Sequence, residues 1–268
     1  MMAQRADRGV DAMREPLEVR RLGDGPPVVL VHGGVGPALT WERAEALADS
    51  WTLAIPARRG FRPSPPTDRQ DFERDAADIA PLLAGGAHLV GFSYGGVSSA
   101  LIAQSDPGRV RSLTLIEPPI YAAAPRDPEV ARLARVGDAF LAGEGSPEED
   151  EEFIRRAGID PDAAGGRREE IAEAVAAARG GRPPTEAEID LDRIAAAAIP
   201  AMVVSGDHHP AIERICDGLA ERLRARREVV RGAGHAVPRA PGFNRLLDGF
   251  LASAERTAMG ALGNLKPS

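Results

Sequence analysis

Ser93 stands at the centre of the pentapeptide Gly91-Phe92-Ser93-Tyr94-Gly95, with Gly96 directly behind it. A serine hydroxyl can attack a carbonyl carbon only when it is exposed and close to a group that takes its proton. The first condition is met by this spacing. The apolar run Leu89 to Phe92 enters the motif as a strand, and Ala100, Leu101 and Ile102 continue from it with helical spacing. Glycines two residues before and two after the serine let the backbone crowd into a sharp strand-to-helix turn, which leaves the hydroxyl at the helix N-terminus. An unpaired amide and the positive end of the helix dipole then face any oxyanion that develops there.

Elements able to hold such a turn recur along the chain. Short apolar runs, the form expected of strands buried on both faces, occupy Val28 to Val31, Thr52 to Ile55, Leu89 to Phe92, Leu113 to Ile116 and Ala201 to Val204. A weaker run follows at Glu228 to Val230, and Leu17 to Leu22 can add an edge strand. Helical stripes separate them: Phe72, Ala76, Ile79 and Leu83, with Pro81 shortening that helix; Ile212, Ile215, Leu219 and Leu223; and Phe243, Leu246, Leu247, Phe250 and Leu251. Alternation of this kind predicts an α/β fold, a mostly parallel central sheet flanked by helices. The stretch 121–198 breaks the alternation. It holds helical pieces only, with start signals at Asp127-Pro128, Ser146-Pro147-Glu148-Glu149, Asp160-Pro161 and Thr185 with Glu188, punctuated by glycines that include Gly165 and Gly166. The expectation is a helical lid inserted over the carboxyl ends of the strands. Residues 17–256 then form the domain, between a disordered segment 1–16 and a flexible tail 257–268.

From Leu17 to Arg256 the chain resembles the α/β-hydrolase family, in its serine-dependent, esterase- and lipase-like branch. The resemblance rests on the motif around Ser93, on Val31-His32-Gly33-Gly34-Val35 after the first strong strand, and on Gly232-Ala233-Gly234-His235-Ala236-Val237-Pro238 after the last one. It implies Ser93 as nucleophile and His235 as general base. The oxyanion amides would come from Tyr94 and from Gly34, with Val35 the neighbouring alternative, and His32 would brace the loop. A serine at the turn sets the chain apart from the branches of this fold that use aspartate there.

The acid departs from the family pattern. The family usually carries it three residues after a glycine in the turn behind the Ala201–Val204 strand, and His209 occupies that position in Gly206-Asp207-His208-His209-Pro210. A histidine cannot hold an imidazolium as a carboxylate does. Two carboxylates remain. Glu117, in Leu115-Ile116-Glu117-Pro118-Pro119, ends the preceding strand, where some lipases of the fold place their acid, and it is preferred; Asp207, in the usual turn, is the alternative. Beside the oxyanion loop and after Glu117, Val35, Trp41 and Tyr121 are candidates for the pocket mouth. His88 and Cys216 read as buried structural residues, and Arg59-Gly60-Phe61 with Ser64 as scaffold in which Ala57 and Arg62 depart from the family's usual residues.

The length fits one large α/β domain, or a core with a modest insertion. A chain of 268 residues buries roughly three quarters of its unfolded surface without a staple. One cysteine excludes a disulfide framework and any multi-cysteine metal site. A net charge of −7 gives no footprint for nucleic acid. No apolar run approaches the roughly 20 residues that cross a bilayer, and the polar start has no apolar core of a secretory signal. The expected protein is cytoplasmic and needs neither metal nor organic cofactor. Its expected partner is a small acyl substrate carrying an ester, thioester or lactone. A lyase, acyltransferase or carbon–carbon bond hydrolase using the same triad, and a non-catalytic ligand binder, are the other readings, because fold alone does not decide function.

Overall fold

The computed structural model describes residues 15–158 and 168–263. The segments 1–14 and 264–268, and the Asp160-Pro161 pair with Gly165 and Gly166, lie outside the described residues.

Among the described residues seven strands form one sheet: β1 (Val19–Leu22), β2 (Pro27–Val31), β3 (Thr52–Pro56), β4 (Ala87–Phe92), β5 (Val110–Ile116), β6 (Ala201–Ser205) and β7 (Arg226–Val229). Their order is β1-β3-β2-β4-β5-β6-β7, with β1 antiparallel to β3 and every other pair parallel. Each expected strand is present. The helices are α1 (Pro37–Thr40), α2 (Phe72–Ile79), α3 (Tyr94–Ser105), α4 (Pro128–Ala142), α5 (Pro147–Arg156), α6 (Arg168–Ala178), α7 (Leu191–Ala196), α8 (Pro210–Leu223) and α9 (Phe243–Gly263).

The central strands are apolar throughout because both faces are covered. Val29, Val31, Leu89, Leu113, Leu115 and Val203 pack under residues of α2, α3 and α8. The alternate residues Val28, Leu30, Val90, Phe92, Ile116, Met202 and Val204 meet Phe243, Leu247, Phe250 and Leu251 of α9. The period-2 alternation of a strand thus feeds two cores.

Local signals set the helix ends. Asp71 caps α2, accepting hydrogen bonds from the Glu73 and Arg74 amides, and Pro81 ends that helix in a 3-10 turn over Ala80–Leu83. Asp127 caps α4, with Pro128 in its first turn. Ser146 and Glu149 form the reciprocal capping box of α5. Thr185 starts no α-helix: its hydroxyl donates to Asp138 at 2.6 Å within a 3-10 turn, and α7 starts instead behind the Asp190 cap. Helix α9 continues past Thr257 to Gly263, beyond the point where the sequence suggests a tail.

His88 on β4 is buried between Ser112 (2.7 Å) and Glu255 of α9 (3.0 Å), and Glu255 also takes Arg111 at 2.9 Å. Burial, opposed by Glu255, lowers the His88 pKa to about 4, so this ring ties sheet to helix as a neutral group. Cys216 is fully buried on α8, where burial pushes its thiol far up.

Candidate active site

Strand register sets the site. Phe92 pairs with Ile116 and Ile116 with Val204, so the chain leaves β4, β5 and β6 at one level. The amide of Ser93 donates to the Ile116 carbonyl at 2.8 Å, and the amide of Glu117 donates to the Val204 carbonyl at 3.0 Å. Ser93 and Glu117 are therefore the first residues past neighbouring strands. Both turn sharply, with φ of 50° and 45°, a region that costs a non-glycine residue of order 1 kcal/mol or more.

The bend at Ser93 requires its glycines. A Cβ on Gly91 would stand 2.4 Å from Ser99 Oγ, and one on Gly95 would stand 2.3 Å from the His32 carbonyl oxygen. The second contact also shows that the loop after β2 lies directly against the start of α3. Ser93 has spent its own amide on Ile116, and the Tyr94 amide, first in the helix, has no intrahelical acceptor.

From Ser93 the polar groups run in a chain. Ser93 Oγ lies 3.1 Å from His235 Nε2, and His235 Nδ1 lies 2.6 Å from Glu117 Oε2. His235 is carried by the loop after β7, and its ring packs on Phe92 at 4.8 Å between centroids. The other Glu117 oxygen, Oε1, accepts the Gly206 amide at 2.6 Å. His208, from the turn after β6, approaches that oxygen to 3.3 Å. Burial works against the charge of Glu117, yet His208 and His235 together bring its pKa down to about 2. The carboxylate is ionised throughout the neutral range.

Asp207 does not take this place. Its side chain is 43% exposed and pairs with Arg231 at 3.1 Å, on the outer side of the turn. The turn itself directs it there, since Asp207 has a φ of 61°. His209, at the family's usual acid position, caps α8 by accepting the Ala211 amide at its Nδ1. Trp41 lies outside this group. It is buried in the core with Leu47 and Trp51, and it is absent from the lining of the cavity that holds Ser93. It lines a separate cavity with Gly36, Pro37 and Phe61.

The Ser93 cavity, about 140 Å³, is apolar apart from Ser93, Glu117, His235 and the two tyrosines. Gly34, Val35, Ser93, Tyr94, Glu117, Tyr121 and His235 line one part of it, and Leu133, Gly137, Phe140, Phe153 and Val175 of the segment between β5 and β6 line the rest. A second cavity of about 330 Å³ shares Val35, Phe92 and His235 with the first and reaches Pro238 and Arg239.

Sequence reasoning passed over two residues. One is His208. The other is Arg58, fully buried, which donates from Nε to the His32 carbonyl (3.0 Å), from Nη2 to the Gly33 carbonyl (2.6 Å) and from Nη1 to Gln70 (2.9 Å). Its Nη1 also meets Asp75 at 2.5 Å, and its backbone amide donates to His32 Nε2 at 2.9 Å. His32 Nδ1 faces the Val35 carbonyl at 2.8 Å. Burial first, then the Arg58 charge, hold the His32 pKa well below its ordinary value, so His32 is a neutral brace of the loop that carries Gly34. An arginine in the loop pair Arg58-Arg59 gives no periodic signal, which is why it escapes a reading of patterns.

Asp75→Asn leaves the Arg58 charge buried with its carboxylate gone. The expected loss is about 3 kcal/mol of folding stability, by urea or thermal melts. A loss below about 1 kcal/mol would mean that the carbonyl oxygens alone satisfy Arg58.

Glu117, His208 and His235 bring ligand-type atoms within 4.8 Å of one another. Glu117 in this cluster accepts the Gly206 amide and faces His235 Nδ1.

Sequence and fold match known proteins. The sequence model of the alpha/beta hydrolase family matches residues 28–243, and the chain belongs to that family. It is similar to a pimeloyl-[acyl-carrier protein] methyl ester esterase of Aeromonas salmonicida, with 33% identity over 133 residues, 48% of this chain and 52% of that relative. The chain thus spans about half the length of the curated relatives it matches. An alpha/beta hydrolase from Sphaerobacter thermophilus superposes with a TM-score of 0.65 at 28% identity, covering 88% of this chain and 96% of the other. A thermophilic esterase from Thermogutta terrifontis gives 0.63 at 26% identity, covering 91% and 93%. No helix among the described residues is long and apolar enough to cross a membrane.

Proposed function

We propose that the protein is a serine-dependent carboxylic ester hydrolase. Ser93 Oγ attacks the acyl carbon while His235 Nε2 takes its proton, and Glu117 accepts a hydrogen bond from His235 Nδ1–H. Glu117 fixes the ring in the tautomer that leaves Nε2 free to act as base, and it stabilises the imidazolium that forms. Amides of Tyr94 and Gly34 hold the oxyanion. His235 then returns the proton to the departing alkoxide, and a water activated by the same ring releases the acyl-enzyme. The observation that carries this reading is the unbroken run from Ser93 Oγ through His235 (3.1 Å) to Glu117 (2.6 Å).

The acyl group is assigned to the apolar cavity and the alcohol to the wider one that shares His235. Residues of α4, α5 and α6 act as the lid that keeps water from the first. The methyl ester esterase activity of the Aeromonas salmonicida relative supports an ester over a carbon–carbon bond as the target. Turnover of p-nitrophenyl acetate and butyrate, with a panel of lactones and thioesters, tests the reading. Ester cleavage that vanishes in Ser93→Ala is expected. Thermal stabilisation by such compounds without any turnover would identify a binder instead.

A further inference from the structure

The turn after β6 holds an imidazole that the proposed triad does not use. His208 is wedged between the acid and the end of α5. Its side chain is 12% exposed, its Nδ1 lies 3.3 Å from Glu117 Oε1, and its ring centroid lies 5.9 Å from that of His235. Gly158, just past α5, gives it room: a Cβ there would stand 2.5 Å from His208 Cδ2 and Nε2. Among the described residues neither ring nitrogen completes a hydrogen bond of good geometry, so the contact with Glu117 is one of charge. The turn is fixed behind it. The Gly234 amide donates to the Gly206 carbonyl at 3.2 Å, which joins the His208 turn to the His235 loop.

We propose that His208 is a positioning residue for the acid: its imidazolium shares Glu117 with His235 and thereby keeps His235 free of a proton in the resting enzyme. The proposal rests on the triad reading and adds to it a residue that touches neither substrate nor reacting atoms.

The charges around His208 come from several elements. Glu117 faces it from the end of β5, Glu213 from α8, His235 from the loop after β7, and the Arg156 carbonyl from α5, with His209 next to it in its own turn. Burial disfavours its cation, but Glu117, Glu213 and that carbonyl outweigh burial and leave its pKa above the ordinary histidine value. One carboxylate with one imidazolium makes a neutral buried pair. A proton on His235 as well would place two cations beside one anion, and like charges at this separation oppose each other. During catalysis the oxyanion restores the balance, so the penalty falls on the resting enzyme and not on the intermediate. Without His208, Glu117 is an uncompensated anion that draws a proton onto the base before substrate arrives.

In His208→Gln the acid limb of kcat/KM therefore moves to higher pH, by about two pH units for charges some 6 Å apart near a protein surface. Once the pH is high enough for native His208 to lose its proton, the two enzymes converge to within about threefold. His208→Lys, which keeps a cation, brings the limb back toward its native position. A residue that merely fills space would lower kcat/KM equally at every pH, and that result overturns the proposal. A second measurement needs no activity. Histidine ring resonances of the native protein and of Glu117→Gln are followed by NMR titration. Glu117→Gln is expected to lower the His208 midpoint; an unchanged midpoint overturns the pairing even if ester turnover fails and the triad reading falls on its own.

Discussion

Glu117→Gln lowers kcat by about 10³- to 10⁴-fold, as expected when a triad carboxylate becomes an amide and the histidine loses its correct tautomer. Asp207→Asn, by contrast, leaves kcat within about threefold, because exposed Asp207 pairs only with Arg231 at the surface and such pairs contribute little. The contrast follows from one geometric fact: His235 Nδ1 finds a carboxylate oxygen at 2.6 Å, and it is that of Glu117. With Gln, the Gly206 amide still has an oxygen to donate to, so the fold survives while the charge is gone. Matched circular dichroism spectra establish that both variants are folded. The opposite ranking in folded proteins would move the acid to the turn after β6 and leave the roles of Ser93 and His235 standing.

Ser93→Ala and His235→Ala each remove on the order of 10⁶ from kcat, and the double variant is no worse than either single one. In the proposed mechanism nucleophile and base act as a unit, so once one is absent the other has nothing to do. What remains above the uncatalysed rate comes from the amides and from binding, and it is left intact because the oxyanion loop is held by Arg58 and His32 rather than by the triad. KM for p-nitrophenyl butyrate should stay within a fewfold, since the apolar cavity is lined mostly by residues outside this pair. Additive losses from the two substitutions would show that they act in separate steps.

Most of the fold is legible in the sequence because it follows from repeating patterns. Apolar runs such as Val28 to Val31 become strands covered on both faces, and the stripe from Phe243 to Leu251 becomes the face of α9 on the sheet. Glycines around Ser93 give away the sharp bend, since no other residue fits 2.3 Å from the His32 carbonyl. The chemistry of the acid is legible only in part. Leu115-Ile116-Glu117-Pro118 marks a carboxylate at a strand end, but that this strand lies beside β4 in matching register is a property of the sheet order. Positive φ at Glu117, which turns the carboxylate toward His235, has no signature in a residue that is not glycine. Arg58 and His208 act through partners distant in sequence, and neither belongs to any period. Trp41 shows a related limit: its nearness in sequence to Gly34 and Val35 does not bring it to the Ser93 cavity, because the turn through α1 buries it.

Intact-protein mass spectrometry after treatment with a fluorophosphonate measures directly whether Ser93 is an activated nucleophile. One covalent adduct on Ser93 is predicted, lost in Ser93→Ala and formed far more slowly in His235→Ala. A folded native protein that takes no adduct, or an adduct that persists at another serine in Ser93→Ala, would contradict the account.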